Sequence, residues 1–279
     1  MTTAFIYWNI NPEITNIFGI SIRYYGLLFG TGLILSLFVL GKIFQQEQIP
    51  QRDLEKLALW GIIGILAGAR LGHCLFYDPA YYFAHPIEMF LPVQFSSDGT
   101  MRFTGYRGLA SHGGALGLII VLILFSRKTK RPILHIIDLI AIAAPLAGGF
   151  IRLANLMNSE IIGIPTKKPW GFIFARVDAI PRHPTQLYEA FSYFFIFFVL
   201  ATLYKIRRNQ LKNGVFFGLS LALIFSARFI IEFFKERQVS FEEHMTFDMG
   251  QLLSIPYIVI GIGFVVYGLR KTRKQKRNR

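Results

Sequence analysis

Apolar residues along this chain fall into long blocks that short polar segments separate. Seven of these blocks are close in length to the roughly 20 residues that a helix needs to cross the hydrocarbon core of a bilayer. The predicted spans are residues 20–41, 57–77, 109–126, 133–157, 187–204, 213–234 and 250–269. The pattern therefore predicts an all-α integral membrane protein with about seven transmembrane helices, built as a single polytopic domain over residues 1–279.

Composition supports this class of protein. Hydrophobic residues make up 53% of the chain and charged residues only 16%, whereas a soluble domain carries about 25% charged residues. The net charge of +14 would suggest nucleic-acid binding in a soluble protein. Here the basic residues lie in short loops and in the tail at 270–279, which is typical of contact with anionic lipid headgroups. The expected partner is the lipid bilayer and not nucleic acid.

The distribution of basic residues predicts the orientation of the chain. Of the 30 Lys and Arg residues, 18 lie in the four segments that would be cytoplasmic if the N-terminus were outside, and eight lie in the longer segments of the opposite side. Because basic residues concentrate in cytoplasmic loops, we expect a periplasmic N-terminus and a cytoplasmic basic tail at 270–279. The longer loops 78–108 and 158–186 then face outward.

Recurrent glycines indicate where helices approach closely. Small residues recur four positions apart, and close helix packing in a membrane favours this spacing. The pairs and triplets are Gly26 and Gly30, Gly64, Gly68 and Gly72, Gly113 and Gly117, and Gly214 and Gly218. The single cysteine, Cys74, excludes an intrachain disulfide and is interpreted as a small buried hydrophobic residue.

Charged residues inside the predicted spans indicate chemistry, since each costs about 3 kcal/mol on insertion scales and needs a partner or a task. If the segment around Arg152 is helical, Arg152, Asn155 and Ser159 share one face. That face combines a fixed cation with amide and hydroxyl groups, which suits a phosphate. A polar packing seam between helices is the alternative.

A second arginine lies in the sixth span. Arg228 and Glu232 are one helical turn apart, which is the spacing of a structural salt bridge. Alternatively, Arg228 joins Arg152 in an anion clamp and Glu232 keeps it oriented.

His112 is a candidate general base. It lies among small residues at the outer end of the third span, beside Gly113 and Gly114, and an ordinary pKa near 6.5 suits proton transfer at neutral pH. A purely structural histidine is the alternative. The chain has no serine-hydrolase motif, no zinc motif and no aspartate-rich magnesium motif, so we expect no cofactor. Arginines with one histidine suggest nucleophilic displacement of a phosphate leaving group.

Seven short motifs follow one another over nearly the whole chain. They are RYYGL at 23–27, GARLG at 68–72, SHGG at 111–114, RLAN at 152–155 with EIIG at 160–163, HPTQLYE at 183–189, RFIIEF at 228–233 and GQLLS at 250–254. In this order they resemble the bacterial prolipoprotein diacylglyceryl transferase family. The resemblance implies transfer of the diacylglyceryl group of phosphatidylglycerol to the lipobox cysteine thiol of a prolipoprotein signal peptide, releasing glycerol phosphate. It also implies the inner membrane of a bacterium, with the site toward the periplasmic leaflet.

The resemblance also implies which residues act. The expected catalytic residues are His112, Arg152 and Arg228, with either His112 or an arginine-centred mechanism activating the thiol. Residues expected to bind substrate are Tyr25, Gly113, Gly114, Arg152, Asn155, Glu160, Gly163 and Glu232. This chain departs from the family pattern at three places, where Ile151 and Ser159 replace usual glycines and Leu156 replaces a usual phenylalanine.

Two other functions remain open at this stage. A transporter of anionic solutes would also line its path with arginines, although the chain lacks the internal repeats of many transporters. Another phospholipid-headgroup transferase would keep the arginines and usually need Mg²⁺. Asp138 is expected to be structural, whereas the roles of Arg70 and Glu189 are left undecided.

Overall fold

A computed structural model of the chain describes residues 5–17, 20–91, 93–95, 100–103, 108–237 and 245–277. Within these residues nine α-helices form. They are α1 (Tyr24–Gln46), α2 (Gln51–Phe76), α3 (Pro79–Ala84), α4 (Pro86–Phe90), α5 (Ser111–Thr129), α6 (Ile133–Asn158), α7 (Thr185–Arg207), α8 (Val215–Glu232) and α9 (Met249–Arg277). All but α3 and α4 are long and apolar enough to cross a membrane, which confirms the prediction of seven spans.

At the first two spans the predicted starts differ from the observed helix starts by four and six residues. Helix α1 begins at Tyr24 and not at residue 20, and α2 begins at Gln51 and not at 57. Both errors have one cause. A hydropathy window detects apolar content, but it does not detect where the backbone leaves or enters the helix.

The described part of the chain outside the spans contains short strands that the sequence analysis did not predict. The strands are β1 (Ile6–Trp8), β2 (Glu13–Ile17), β3 (Ile20–Arg23), β4 (Val93–Phe95), β5 (Met101–Phe103), β6 (Phe172–Phe174) and β7 (Pro181–Arg182). Strand β1 pairs in parallel with β6, and β6 pairs antiparallel with β7. The hairpins β2–β3 and β4–β5 are antiparallel. Segments of two to five residues are too short for alternation to reveal them.

The chain divides into two compact units, residues 1–43 with 137–279, and residues 44–136. In the second unit, α2 and α5 approach along the glycines predicted to mediate packing. A Cβ atom at Gly68 would collide with the Gly113 carbonyl oxygen, and one at Gly117 would collide with that of Gly64. The packing role is confirmed for this set, whereas Gly26 and Gly30 have nothing within 4 Å among the described residues.

Arg70 joins α2 to the short helix α4 in the same unit. Its guanidinium donates hydrogen bonds to the carbonyl oxygens of Glu88, at 2.5 Å, and Met89, at 3.2 Å. It also lies over the ring of Tyr82, 4.7 Å from the centroid, and donates to that hydroxyl. The side chain of Arg70 is therefore used to hold the loop segment that follows α2.

Asp138 performs a comparable structural task in the first unit. Its carboxylate is 4% exposed and accepts hydrogen bonds from the backbone N–H groups of Gly214, at 2.6 Å, and Phe217, at 2.7 Å. These are among the N–H groups that lack intrahelical partners at the start of α8. Asp138 is thus a capping residue supplied by a distant helix, as the structural interpretation expects.

The segment between α6 and α7 has a small core of its own. Trp8 on β1 packs against it and donates a hydrogen bond from Nε1 to the Leu156 carbonyl oxygen, at 3.1 Å. The apolar side chains of this core are Trp8, Leu156, Ile162, Phe172, Phe174 and Leu187. Burial of these side chains gives the segment a defined shape, so that it can hold residues at the ends of α6 and α7.

An ion-pair cluster fixes the far end of the same segment. The buried Arg182 binds Asp178, at 2.5 Å, and Glu236, at 2.9 Å, and it donates to the Gly163 carbonyl oxygen. The guanidinium of Arg182 holds the pKa of Asp178 below its usual value. These contacts connect the segment to the chain that follows α8.

Candidate active site

The C-terminal end of α6 brings together three of the predicted site residues. Arg152 donates from Nη1 to the Asn155 side-chain oxygen, at 3.3 Å, and Asn155 donates to Glu160 Oε2, at 3.1 Å. Asn158 donates to the other oxygen of Glu160, at 2.7 Å. Arg152, Asn155 and Glu160 therefore form one hydrogen-bonded chain, which agrees with the predicted polar face of this helix.

Ser159 does not extend that face, because α6 ends at Asn158. The backbone turns off the helix at Ser159 and Ile161, whose φ angles are 55° and 57°. This left-handed conformation favours glycine, which explains why the resembled family has a glycine at the place of Ser159. The turn directs the Glu160 side chain back toward Asn155.

A buried chain of ion pairs extends from Arg152. Arg152 Nε lies 2.9 Å from one oxygen of Glu189, and Lys235 Nζ lies 2.9 Å from the other. Lys235 Nζ also lies 3.0 Å from Glu232 Oε2. The Glu189 side chain is fully buried and that of Lys235 is 4% exposed. Glu189, whose role was undecided, is thus the central carboxylate of this cluster.

Sequence reasoning did not select Lys235 or Tyr193. Lys235 follows the sixth predicted span and was counted with the basic residues of an outer segment, although its position three residues after Glu232 allowed a contact on one helix face. Tyr193, which is 6% exposed, lies within electrostatic reach of Arg152 and Arg228. Its ring packs against Gly148, whose Cβ would lie 3.1 Å from the ring.

Arg228 makes no ion pair with Glu232, so the structural salt bridge, one of the two interpretations of this pair, is absent, and so is the contact by which Glu232 would orient Arg228. Glu232 pairs with Lys235 instead, whose backbone is held near by the bridge to Gly163. Arg228 is half-buried, and within the described ranges it has no hydrogen-bond or ion-pair partner. Its charge therefore remains uncompensated by a carboxylate of the described chain.

Gly163 acts through its backbone. Its N–H donates to the His183 carbonyl oxygen, at 3.0 Å, and the next residue, Ile164, donates to that of Phe234, at 2.9 Å. A Cβ atom on Gly163 would lie 2.5 Å from the former oxygen and 2.6 Å from the latter. Gly163 also forms an antiparallel bridge with Lys235. A side chain here would separate the two backbone segments whose bridge holds Lys235 in place.

Tyr25 lies on an open polar cavity of about 510 Å³ at the start of α1. The cavity is lined by Ser21, Arg23, Tyr25, Gly26, Asn158 and Glu160. Two of the predicted substrate-binding residues, Tyr25 and Glu160, therefore face the same space. The side chains of Ser21, Arg23, Asn158 and Glu160 give this space a polar lining.

His112 belongs to the second unit, where it lies in the first turn of α5. Its exposed ring stacks on Tyr77, with centroids 5.8 Å apart, and contacts the edge of Phe76 at 6.1 Å. Gly113 and Gly114 are buried against α2, so the structure gives both a packing role. Their predicted contact with substrate, and the general-base role of His112, stay predictions.

Among the described residues, no group of three or more His, Cys, Asp or Glu side chains is placed to hold a metal ion. The site in the first unit instead consists of cations, carboxylates, an amide and phenol groups. Such groups bind and orient an anion through hydrogen bonds and charge.

Seven apolar helices define a polytopic membrane protein, and its first unit holds a polar cluster of arginines, carboxylates and a lysine at helix ends. Residues 12–267 match the family described as prolipoprotein diacylglyceryl transferase. The chain belongs to this family, which confirms the resemblance found in the motifs.

The relatives of this chain extend over nearly its full length. It is 54% identical over 270 residues to a phosphatidylglycerol–prolipoprotein diacylglyceryl transferase of Bacteroides fragilis, covering 96% of this chain and 98% of that protein. Proteins of the same name from Chloroherpeton thalassium and Porphyromonas gingivalis are each 40% identical to this chain. Each alignment covers at least 98% of this chain and 98% of the relative. Family membership therefore favours the transferase over the transporter and over a different headgroup transferase.

Proposed function

We propose that this protein transfers the diacylglyceryl group of phosphatidylglycerol to the lipobox cysteine of a prolipoprotein, in the outer leaflet of the bacterial inner membrane. The cysteine sulfur forms a thioether bond to the diacylglyceryl carbon. The bond from that carbon to the phosphate oxygen breaks, and glycerol phosphate leaves with the electron pair. Family membership supports this reaction, and so does the set of cations at the ends of the helices.

The single observation that carries the proposal is the half-buried Arg228, a cation without a counter-ion in the described chain. A charge in such a place is costly, and an anionic lipid phosphate would compensate it. Arg152, held by Glu189 and Asn155, lies in the same unit and offers its remaining N–H donors. Preorganised cations stabilise the charge that develops on the leaving phosphate.

The placement of these residues supports a site in the outer leaflet. Arg152 lies near the end of α6, Glu189 near the start of α7, and Glu232 ends α8. The distribution of basic residues assigns all three of these helix ends to the periplasmic side. An anionic lipid and an exported cysteine would meet there.

Activation of the thiol has two candidate routes. A cysteine has an ordinary pKa of about 8.5, so a base or a strong positive field raises the thiolate fraction at neutral pH. His112 would supply the base. Arg228 would instead supply the field and polarise the phosphate.

The proposal is tested with purified protein, phosphatidylglycerol and a synthetic lipobox peptide. We expect a mass increase of one diacylglyceryl group on the peptide, which Arg152→Ala abolishes and which a zwitterionic phospholipid does not support. Absence of the mass shift in the wild-type protein, beside an active homologue, would contradict the function. In the same assay, a fully active His112→Gln variant with an unshifted pH–rate profile would eliminate the general-base route.

A further inference from the structure

The cluster around Lys235 has a particular charge balance. Two cations, Arg152 and Lys235, alternate with two carboxylates, Glu189 and Glu232, and the contacts that join them measure 2.9 to 3.0 Å. These four charges compensate one another. Arg228 lies outside this chain of ion pairs. Lys235 contacts both carboxylates, so its removal would leave Glu189 and Glu232 each without one cation.

Lys235 is held in place from its backbone as well as its side chain. It forms the antiparallel bridge with Gly163, and its N–H donates to the Glu232 carbonyl oxygen at 3.0 Å. The bridge therefore fixes the backbone of Lys235, and burial of its side chain confines the ammonium beside the two carboxylates. A buried lysine fixed in this way is preorganised to neutralise carboxylates.

Glu232 is confined from the opposite side by helix α9. A Cβ atom on Gly250 would collide with the Glu232 carboxylate, so the glycine is what makes room for the carboxylate beside Lys235. Without the lysine, the part-buried Glu232 carboxylate, 14% exposed, would lack its cation, which is unfavourable. The arginine in reach along the helix is Arg228, one turn earlier, at a spacing that favours an ion pair.

We propose that Lys235 is a positioning residue: by neutralising Glu189 and Glu232 it prevents Glu232 from capturing Arg228 and keeps that arginine available for the lipid phosphate. The inference rests on the proposed function, because it assigns the phosphate to Arg228. In this arrangement Lys235 touches no substrate atom. It acts through the two carboxylates.

The test compares the steady-state kinetics of Lys235→Met, Lys235→Arg and the wild-type protein at varied phosphatidylglycerol. In Lys235→Met, Arg228 pairs with Glu232, so we expect KM for the lipid to rise by about tenfold or more, with a smaller change in kcat. Lys235→Arg retains the charge and restores KM to within about threefold of wild type. Arg237→Met removes a partly exposed cation two residues further on and leaves KM unchanged.

A second pair of variants disturbs the same contact without removing a charge. Gly250→Ala pushes the Glu232 carboxylate away from Lys235 and should also raise KM. Gly263→Ala, on the same helix with nothing within 4 Å of the added atom, is its matched control. This pair keeps the inference testable if Lys235→Met does not fold.

The outcomes separate the two proposals. If wild-type protein transfers no diacylglyceryl group, the proposed function fails. If wild-type protein is active while Lys235→Met folds and keeps its KM, or while Gly250→Ala keeps its KM, the positioning role fails and the function stands. Equal loss of thermal stability in Lys235→Met and Lys235→Arg with no change in KM would assign Lys235 to the fold alone.

Discussion

Arg70 and Arg228 are both arginines within apolar helices, one in each compact unit, yet their surroundings differ. Arg70 donates to two backbone carbonyl oxygens and lies on an aromatic ring. Arg228 has neither a hydrogen bond nor an ion pair within the described part of the chain. Location in a membrane span therefore does not by itself predict whether an arginine is structural or functional. The chemistry of the partners does, because backbone carbonyls fix a loop, whereas an uncompensated cation can take an anion from outside.

The most direct way to break this comparison is to remove each arginine in turn. Arg228→Met should lower the transfer rate by about 10²- to 10³-fold, the loss typical of a donor that stabilises developing charge. Its thermal stability should be unchanged or higher, since a half-buried charge without a counter-ion in the described chain is lost. Transfer assays and thermal unfolding in detergent measure the two effects.

Arg70→Met should show the opposite pattern. The carbonyl oxygens of Glu88 and Met89 lose their donors, at a cost of about 1–3 kcal/mol for each buried acceptor, while the activity of the folded fraction stays within about threefold of wild type. If Arg70→Met folds normally but loses transfer activity, or if Arg228→Met unfolds, the distinction between the two arginines is incorrect.

A smaller effect, on thermal stability, is expected from a substitution at Ser159, in the turn that precedes Glu160. Ser159→Gly relieves a left-handed backbone conformation that costs about 1–2 kcal/mol, and it removes a buried hydroxyl without a hydrogen-bond partner in the described chain. The added freedom of glycine in the unfolded chain offsets part of this. The net gain should be on the order of 1 kcal/mol, or a few degrees in Tm.

Ser192→Gly provides the control for this substitution. Ser192 lies in the regular helix α7 and bonds back to the Tyr188 carbonyl oxygen, so the same change there should destabilise the protein by about 0.5–1 kcal/mol. Equal changes in Tm for the two variants would show that backbone conformation at Ser159 is not the cause.

The smallest expected effect concerns pH and the segment between α6 and α7. Burial, and then the charge of Lys168, hold the pKa of His183 below its ordinary value of 6.5. A lowered pKa in the folded state means that His183 contributes stability above pH 6.5, which is lost as the pH falls through the folded-state pKa. We expect Tm to be level at neutral pH and to decrease toward pH 5.

His183→Gln should flatten this dependence, because it keeps a polar partner for the Tyr188 hydroxyl, 2.9 Å away, without a titrating group. Thermal unfolding between pH 5 and 8 measures the difference. A His183→Gln variant that retains the full acid sensitivity would assign the effect to other groups, such as Asp178.

The sequence predicted the spans well because lipid imposes about 20 apolar residues on each. It did not predict the strands, which are two to five residues long, or the exit of the chain from α6 at Ser159. At the site, the face of Arg152 and Asn155 followed from helical spacing. The partner of Glu232 could not be predicted in this way, because Arg228 and Lys235 both lie at spacings that allow an ion pair. The bridge between Gly163 and Lys235, which the sequence does not reveal, places Lys235 beside Glu232.

Asp138 has a consequence for the order in which the helices can assemble. The first N–H groups of α8 obtain their cap from α6, 76 residues earlier in the chain. During synthesis α8 emerges after α6, so the cap is already present when the start of α8 needs it. The Asp138 carboxylate, however, has no access to these N–H donors until α8 has been synthesised. Until then it favours a location near water, which would delay full burial of that end of α6 until the later helix arrives.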